Sequence, residues 1–257
     1  MIKLFVCGVT GAMGKNIVEL ARQSGKFEIV GGLGQHPEEG LNYPVFEHFD
    51  DVSVPIDVII DFSNASVVDE LIKFSVAHRC RTVICTTGLS KETELNIQSA
   101  SRSVALFKSG NMSLGINLIT KLIEQAASVL DEQYDVEIIE KHHNRKLDAP
   151  SGTALMLADA VNNGVTLQKS VELGRKAIGK KERSTLNIHS VRGGTIVGEH
   201  EVMFAGDDEI ITISHGAYSR RVFAKGALDA AAFLIGKPAG LYDMNDLLAD
   251  LLETKIK

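Results

Sequence analysis

Two adjacent histidines, a lysine and a hydroxyl-glycine turn crowd into one run, Glu140-Lys141-His142-His143-Asn144-Arg145-Lys146-Leu147-Asp148-Ala149-Pro150-Ser151-Gly152-Thr153-Ala154. An imidazole titrates near neutrality, so either histidine can pass a proton at working pH. Pro150, Ser151 and Gly152 precede an apolar pattern with helical spacing, Ala154, Leu155, Leu157, Ala158, Ala160 and Val161. That order marks a helix start. The first N–H groups of a helix lack internal partners and carry partial positive charge, which suits a carboxylate or phosphate. An imidazole and an ammonium beside such an end can hold an acidic substrate and move a proton. Paired histidines or a nearby lysine alone are as readily structural; their coupling to the Ser-Gly-Thr turn points to a site. No metal is expected, because the histidines lack i, i+4 spacing and no cysteine or carboxylate cluster stands beside them.

Composition frames this run. A chain of 257 residues with 44% hydrophobic and 23% charged residues can fill two ordinary globular domains. A net charge of −6 argues against nucleic acid or an acidic membrane surface as partner. Cys7, Cys80 and Cys85 show no zinc-like spacing and read as free, mostly buried thiols of a reducing cytoplasm. No apolar run reaches the roughly 18 residues of a membrane span. The chain opens directly on a strand-like run with no visible signal peptide, so a cytoplasmic location is expected.

The first half reads as a nucleotide-binding lobe. Ile2 to Cys7 is strand-like and feeds Gly8-Val9-Thr10-Gly11-Ala12-Met13-Gly14. Helical spacing of Ile17, Val18, Leu20 and Ala21 follows, then a second strand from Phe27 to Gly32. Strand, glycine turn, helix and strand in that order form a dinucleotide-binding unit. A phosphate-binding P-loop is rejected, since the glycine before Lys15 falls one residue late and Asn16 replaces the hydroxyl that binds magnesium. The acid that usually holds the ribose is absent from Leu33-Gly34-Gln35; His36 and Glu38 are candidates, and NADH versus NADPH stays open. Buried strands are expected at Val58–Asn64, Thr82–Gly88 and Val104–Lys108, with a crossover helix over residues 65–77. Ligands in such sheets bind outside the carboxyl ends of the strands. Thr86-Thr87-Gly88 fits that role and equally an ordinary helix cap. Ser109-Gly110-Asn111-Met112-Ser113 then leads into a helix over residues 114–130.

The second half begins with that helix and a strand, Val136 to Glu140. Neighbours in a strand point to opposite faces, so His142 and His143 serve different groups or lie in a loop beyond it. The polar stretch from Asn162 to Arg183, with Glu172, Arg175, Lys176, Lys180 and Lys181, reads as an exposed connection. Three more strands are expected around residues 186–191, 199–205 and 209–215, the last two as a hairpin turning at Gly206-Asp207-Asp208. A helix opened by Arg220 and Arg221 and an amphipathic tail close the chain. The expected class is α/β, a Rossmann-like doubly wound parallel sheet plus a second α+β domain with an open mixed sheet of about four strands.

The central run resembles the signature of the dihydrodipicolinate reductase (4-hydroxy-tetrahydrodipicolinate reductase) family, Glu-x-His-His-x-x-Lys-x-Asp-Ala-Pro-Ser-Gly-Thr-Ala, with every fixed position filled. Further segments agree. Cys85-Thr86-Thr87 stands where the family has Gly-Thr-Thr near the nicotinamide. Asn111-Met112-Ser113 is similar to its turn over the nicotinamide, with a hinge near residues 109–113. Arg192-Gly193-Gly194 and Val197-Gly198-Glu199-His200 resemble its Ser-x-Arg-x-Gly and Val-Gly-Glu-His segments. Arg192 could meet a carboxylate or form a structural salt bridge.

The resemblance implies an NAD(P)H-dependent oxidoreductase of lysine (diaminopimelate) biosynthesis. It implies His142 as acid/base and Lys146 as second proton donor, with His143, Gly152 and Thr153 binding a small dicarboxylate. It places the cofactor, NADH or NADPH, on Gly8, Val9, Thr10, Gly11, Ala12, Met13, Gly14, Cys85, Thr86, Thr87, Ser109, Gly110, Asn111 and Met112. It implies residues 1–112 and 221–257 as the dinucleotide-binding domain, residues 113–220 as the substrate-binding and oligomerisation domain, and a homotetramer built through the second sheet. The competing readings are a related dehydrogenase of another small acid and a nicotinamide sensor without turnover. Substrate profiling separates the first; replacing His142 or Lys146 separates the second.

Overall fold

The computed structural model describes residues 1–35, 40–131, 133–175 and 178–256. His36, Glu38 and Lys176 lie outside the described residues. In chain order the first elements are β1 (Ile2–Cys7), α1 (Ala12–Ser24), β2 (Phe27–Leu33), β3 (Val45–Phe46), β4 (Val58–Asp61), α2 (Val68–His78), β5 (Arg81–Ile84), α3 (Lys91–Ala100) and β6 (Ala105–Lys108). Then come α4 (Leu114–Leu130), β7 (Asp135–His142), α5 (Gly152–Gly164), β8 (Ser170–Leu173), β9 (Thr185–Arg192), β10 (Gly198–Ala205) and β11 (Ile210–Ala217). The chain closes with α6 (Arg221–Leu234), β12 (Gly240–Tyr242) and α7 (Met244–Ile256). Two compact units result, Met1–Leu114 with Arg220–Lys257, and Gly115–Ser219.

The first unit holds a seven-stranded sheet in the order β12-β6-β5-β4-β1-β2-β3. Every pair in it is parallel. Leu4, Val6, Ile60 and Phe107 pack with Ile17 and Ala21 of α1 and Ala227 and Ala231 of α6. On the other face Phe5, Cys7 and Ile59 pack with Leu71 and Phe74 of α2. Burial on both faces explains why these strands are near-continuous apolar runs. Strands β3 and β12 were not among the sequence expectations, because segments of two and three residues carry no readable alternation. No helix among the described residues is long and apolar enough to cross a membrane.

The second unit holds a mixed five-stranded sheet in the order β11-β10-β7-β9-β8. β10 pairs antiparallel with β7 and β11, whereas β9 pairs parallel with β7 and β8. Along β7, buried Val136, Ile138, Glu140 and His142 alternate with less buried neighbours. The two apolar residues of this set share a core with Ile123 and Ala127 of α4 and Leu157, Ala158 and Val161 of α5. The sheet has five strands where about four were expected. β8 lies inside the stretch read as a polar connection; its Val171 and Leu173 alternate with polar residues, but four residues at a sheet edge are too short a run to stand out there, and all four are exposed. Lys181 in that stretch is anchored rather than solvated: its Nζ lies 2.6 Å from Glu137 Oε1 and donates to Asn187 Oδ1 at 2.8 Å.

Candidate active site

In the second unit the site grows from the end of β7. His142 is the last residue of the strand, and its ring turns to the buried face with Glu140, two residues earlier. Glu140 is fully buried. Its Oε2 lies 2.6 Å from His142 Nδ1 and accepts from Arg192 Nη1 at 2.8 Å. Its Oε1 accepts from Arg192 Nη2 at 2.7 Å and from the Ser151 N–H at 3.2 Å. Burial pushes this carboxyl up, but hydrogen bonds from Arg192, Ser190 and His142 outweigh burial and hold it at about 2. Glu140 is therefore a carboxylate at neutral pH, and a carboxylate only accepts.

The loop after β7 carries the remaining groups. His143 lies just beyond the strand, half-buried, and the Lys146 N–H donates to its carbonyl at 3.1 Å. Lys146 Nζ pairs with Asp148 Oδ1 at 2.9 Å. That pairing, above all the lysine's hydrogen bond, lowers the Asp148 carboxyl. Arg192 Nη2 also donates to the Asp148 carbonyl at 2.7 Å, fastening this loop to the strand ends. Ser151 is the N-cap of α5, its Oγ accepting from the Ala154 N–H at 3.2 Å. Gly152 and Thr153 are the first helical residues. Ser151 Oγ also lies 2.9 Å from His200 Nε2. Burial first, then the nearby His142, holds the His200 imidazole down at about 4, so it is neutral at pH 7. The His142 and His200 rings meet edge to face at 5.1 Å. An imidazole, an ammonium and a helix mouth thus lie on one short segment. That set can grip a small anion and protonate it.

In the first unit the glycine turn leaves the end of β1. Gly8 has φ +78°, and a Cβ there would lie 2.5 Å from the Phe62 carbonyl oxygen. A Cβ at Gly14 would lie 2.2 Å from the Gly8 carbonyl oxygen, so the turn folds tightly onto the start of α1. Gly11 caps α1 without a side-chain bond, and no acid stands in the first turn. Ala12 and Met13 therefore open a helix end whose N–H groups suit a pyrophosphate. Thr10 Oγ1 donates to the Gln35 carbonyl at 3.1 Å, tying the turn to the end of β2. These features fit a dinucleotide. Val9 and Met112 are buried core residues, so only their backbones are left for a ligand.

Asp61, Cys85 and Ser109 mark neighbouring strand ends. The Cys85 N–H donates to the Asp61 carbonyl at 3.0 Å, and its buried thiol is pushed well up by that burial. The α3 cap is Ser90, whose Oγ accepts from the Thr93 N–H at 3.0 Å, so Thr86-Thr87-Gly88 is not a helix cap. Asn111 Oδ1 accepts from the Ser113 N–H at 2.9 Å, and Ser109 Oγ donates to the Asn111 carbonyl at 2.9 Å, shaping the turn that includes Gly110.

The structure thus gathers His142, His143, Lys146, Gly152 and Thr153 at one end of the second unit, and the glycine turn, Cys85–Thr87 and Ser109–Met112 at strand ends of the first. Sequence reasoning passed over Glu140 and His200. The signal for Glu140 was period 2: an acid two residues before a histidine on a strand shares its face. Arg192 forms an ion pair with Glu140, and the hydrogen bonds it donates to that carboxylate raise the guanidinium against the opposing effect of burial.

Residues 2–112 match the family model described as dihydrodipicolinate reductase, N-terminus, and residues 115–248 match its C-terminus counterpart. A 4-hydroxy-tetrahydrodipicolinate reductase of Caldanaerobacter subterraneus subsp. tengcongensis is 47% identical over 96% of this chain and 98% of its own length. Another, from Clostridium novyi, is 44% identical over 96% of this chain and 98% of its own. A solved dipicolinate-bound dihydrodipicolinate reductase from Paenisporosarcina sp. TG-14 has a TM-score of 0.79 at 26% identity, covering 95% of this chain and 97% of its own. An aspartate dehydrogenase from Thermotoga maritima, with a TM-score of 0.53 at 12% identity over 93% of this chain and 98% of its own, shares the fold alone.

Proposed function

The chain belongs to the dihydrodipicolinate reductase family, and from that premise we propose how its own residues reduce 4-hydroxy-tetrahydrodipicolinate to tetrahydrodipicolinate in lysine (diaminopimelate) biosynthesis. The reaction loses water and consumes one hydride and one proton: hydride goes to a ring carbon of the dehydrated substrate and the proton to its neighbour. Bound NADH or NADPH supplies the hydride. The first unit holds that cofactor through the Gly8–Gly14 turn, the open end of α1 and the backbone of Cys85–Thr87 and Ser109–Met112.

His142 delivers the proton from Nε2, since Nδ1 is taken up by Glu140. Lys146 serves as second proton donor and favours the dianion electrostatically. The N–H groups of Gly152 and Thr153, with the Thr153 hydroxyl and His143, grip its carboxylates. The observation that carries this reading is the buried Glu140–His142 pair bonded to the residue that caps α5. The test is His142→Gln and Lys146→Met, assayed with substrate made in place by the preceding synthase. Loss of turnover by about 10²-fold or more with unchanged nucleotide binding is expected. Near-normal turnover in both variants refutes it.

The same reading makes the enzyme a cytoplasmic homotetramer. Buried free thiols support the first part. A hollow of about 590 Å³ lined by Ile139, Lys141, Glu199, Ser214 and Tyr218 offers the second unit's sheet a surface for assembly. Sedimentation equilibrium checks the subunit count, and cell fractionation the location.

A further inference from the structure

We infer that Glu140 is a positioning residue for the proton step: it fixes the His142 ring with Nδ1 committed and Nε2 left to exchange the proton, and it locks that ring to the start of α5. The inference rests on the reading of His142 as proton donor.

Glu140 receives two bonds at each oxygen, from His142, both terminal nitrogens of Arg192, and the Ser151 backbone. Glu140 is held ionised, and a carboxylate can only accept. The hydrogen between Nδ1 and Oε2 therefore belongs to the imidazole. In the neutral ring Nε2 is then the lone-pair nitrogen, and a proton taken up by His142 must sit there. The bidentate Arg192 fork holds the carboxylate plane, and with it the azimuth of the ring. Nε2 is directed toward Gly198, where an added Cβ would lie 3.1 Å from it.

Arg192 and Ser151 extend this control beyond the ring. The guanidinium that clamps Glu140 also holds the Asp148 carbonyl, two residues after Lys146. The Ser151 N–H that Glu140 accepts precedes the Gly152 and Thr153 amides directly. One buried carboxylate therefore sets the donor imidazole, the lysine-bearing loop and the anion-binding helix end in common register. A purely structural ion pair would hold the strands together without caring which imidazole nitrogen carries hydrogen.

The charged and titratable groups around His142 are Glu140 on its own strand, Arg192 ending β9, His200 on β10 with His215 opposite it on β11, and His143, Lys146 and Asp148 on the following loop. Of these only Glu140 bonds to the ring through a charge opposite to the imidazolium. Removing that charge disfavours the protonated ring.

The full-length enzyme is assayed as wild type, Glu140→Gln, Glu140→Asp and His142→Gln, with substrate generated in place and NADH binding measured on each. For Glu140→Gln the expected result is unchanged NADH affinity and kcat lower by about 10²-fold. Glu140→Asp recovers part of kcat. In the wild type, nitrogen-15 NMR of the His142 ring shows the neutral form with hydrogen on Nδ1, a readout that needs no variant to fold. Hydrogen on Nε2 instead overturns the inference. So does a Glu140→Gln enzyme with normal kcat beside an inactive His142→Gln. An active His142→Gln removes the donor reading itself.

Discussion

Replacing Ser151 by alanine removes one hydroxyl that serves two buried partners. Ser151 Oγ accepts from the Ala154 N–H at 3.2 Å and lies 2.9 Å from His200 Nε2. Loss of an N-cap costs about 1 kcal/mol. His200 is only 5% exposed, so water cannot replace the lost partner. A buried imidazole nitrogen left unsatisfied costs about 1–3 kcal/mol more. The sum is about 2–4 kcal/mol, the larger part belonging to the histidine. The Ser151 N–H is untouched, so its bond to Glu140 persists and NADH binding is unaffected. Urea titrations at pH 7 of wild type, Ser151→Ala, His200→Phe and the double variant form a cycle. The expected coupling between the two positions is about 1–2 kcal/mol. A Ser151→Ala protein within about 0.5 kcal/mol of wild type, the scatter of a neutral surface change, refutes the account. A full-sized loss with zero coupling to His200 refutes the histidine half alone.

Acidification provides a second check. His200 is held at about 4 in the fold against about 6.5 unfolded. The unfolded chain takes up the proton first, so its contribution is intact above pH 6.5 and is lost as pH falls toward 4, to a total of about 3 kcal/mol. Urea midpoints at pH 7, 5.5 and 4.5 should fall in the wild type and flatten in His200→Gln; equal slopes contradict the assignment. Glu140, held at about 2, loses its contribution in a lower window, as pH drops below the ordinary carboxylate range. Gly14→Ala forces a Cβ to 2.2 Å from a backbone oxygen, so NADH affinity should fall by about tenfold or more, equivalent to about 1.4 kcal/mol; unchanged fluorescence-titrated affinity rejects the cradle. Burial raises the Asp61 carboxyl, and Oδ2 has no hydrogen-bond partner among the described residues. Asp61→Asn keeps an oxygen for the Ser63 N–H, removes the cost of ionising at high pH, and should leave Tm at pH 8 equal or higher; a clear drop shows that the charge is needed.

The parallel sheet was legible because strands buried on both faces are continuous apolar runs, and Ile59 and Ile60 cannot be mistaken for surface. The start of α5 was legible because Pro150, Ser151 and Gly152 each suit a helix entry for a separate chemical reason. What stayed hidden was short, polar or non-local. β8 is a four-residue edge strand, and β12 pairs with β6 across a long chain separation. His200 could be read as any strand histidine, since its partner Ser151 is 49 residues away. Arg192 was left between ligand and salt bridge for the same reason: only folding brings the ends of β7 and β9 side by side. An acid and a histidine two apart on β7 share a face by the period of a strand, but the bonds they make to Arg192 and Ser151 depend on folding.

Cys7, Cys80 and Cys85 are all buried, and burial raises each thiol above its usual range. Maleimides react with exposed thiolates. A single cysteine introduced on the surface would therefore be modified in a large excess over the native three. The enzyme can carry a fluorophore or spin label at a chosen point without first being stripped of its own sulfur.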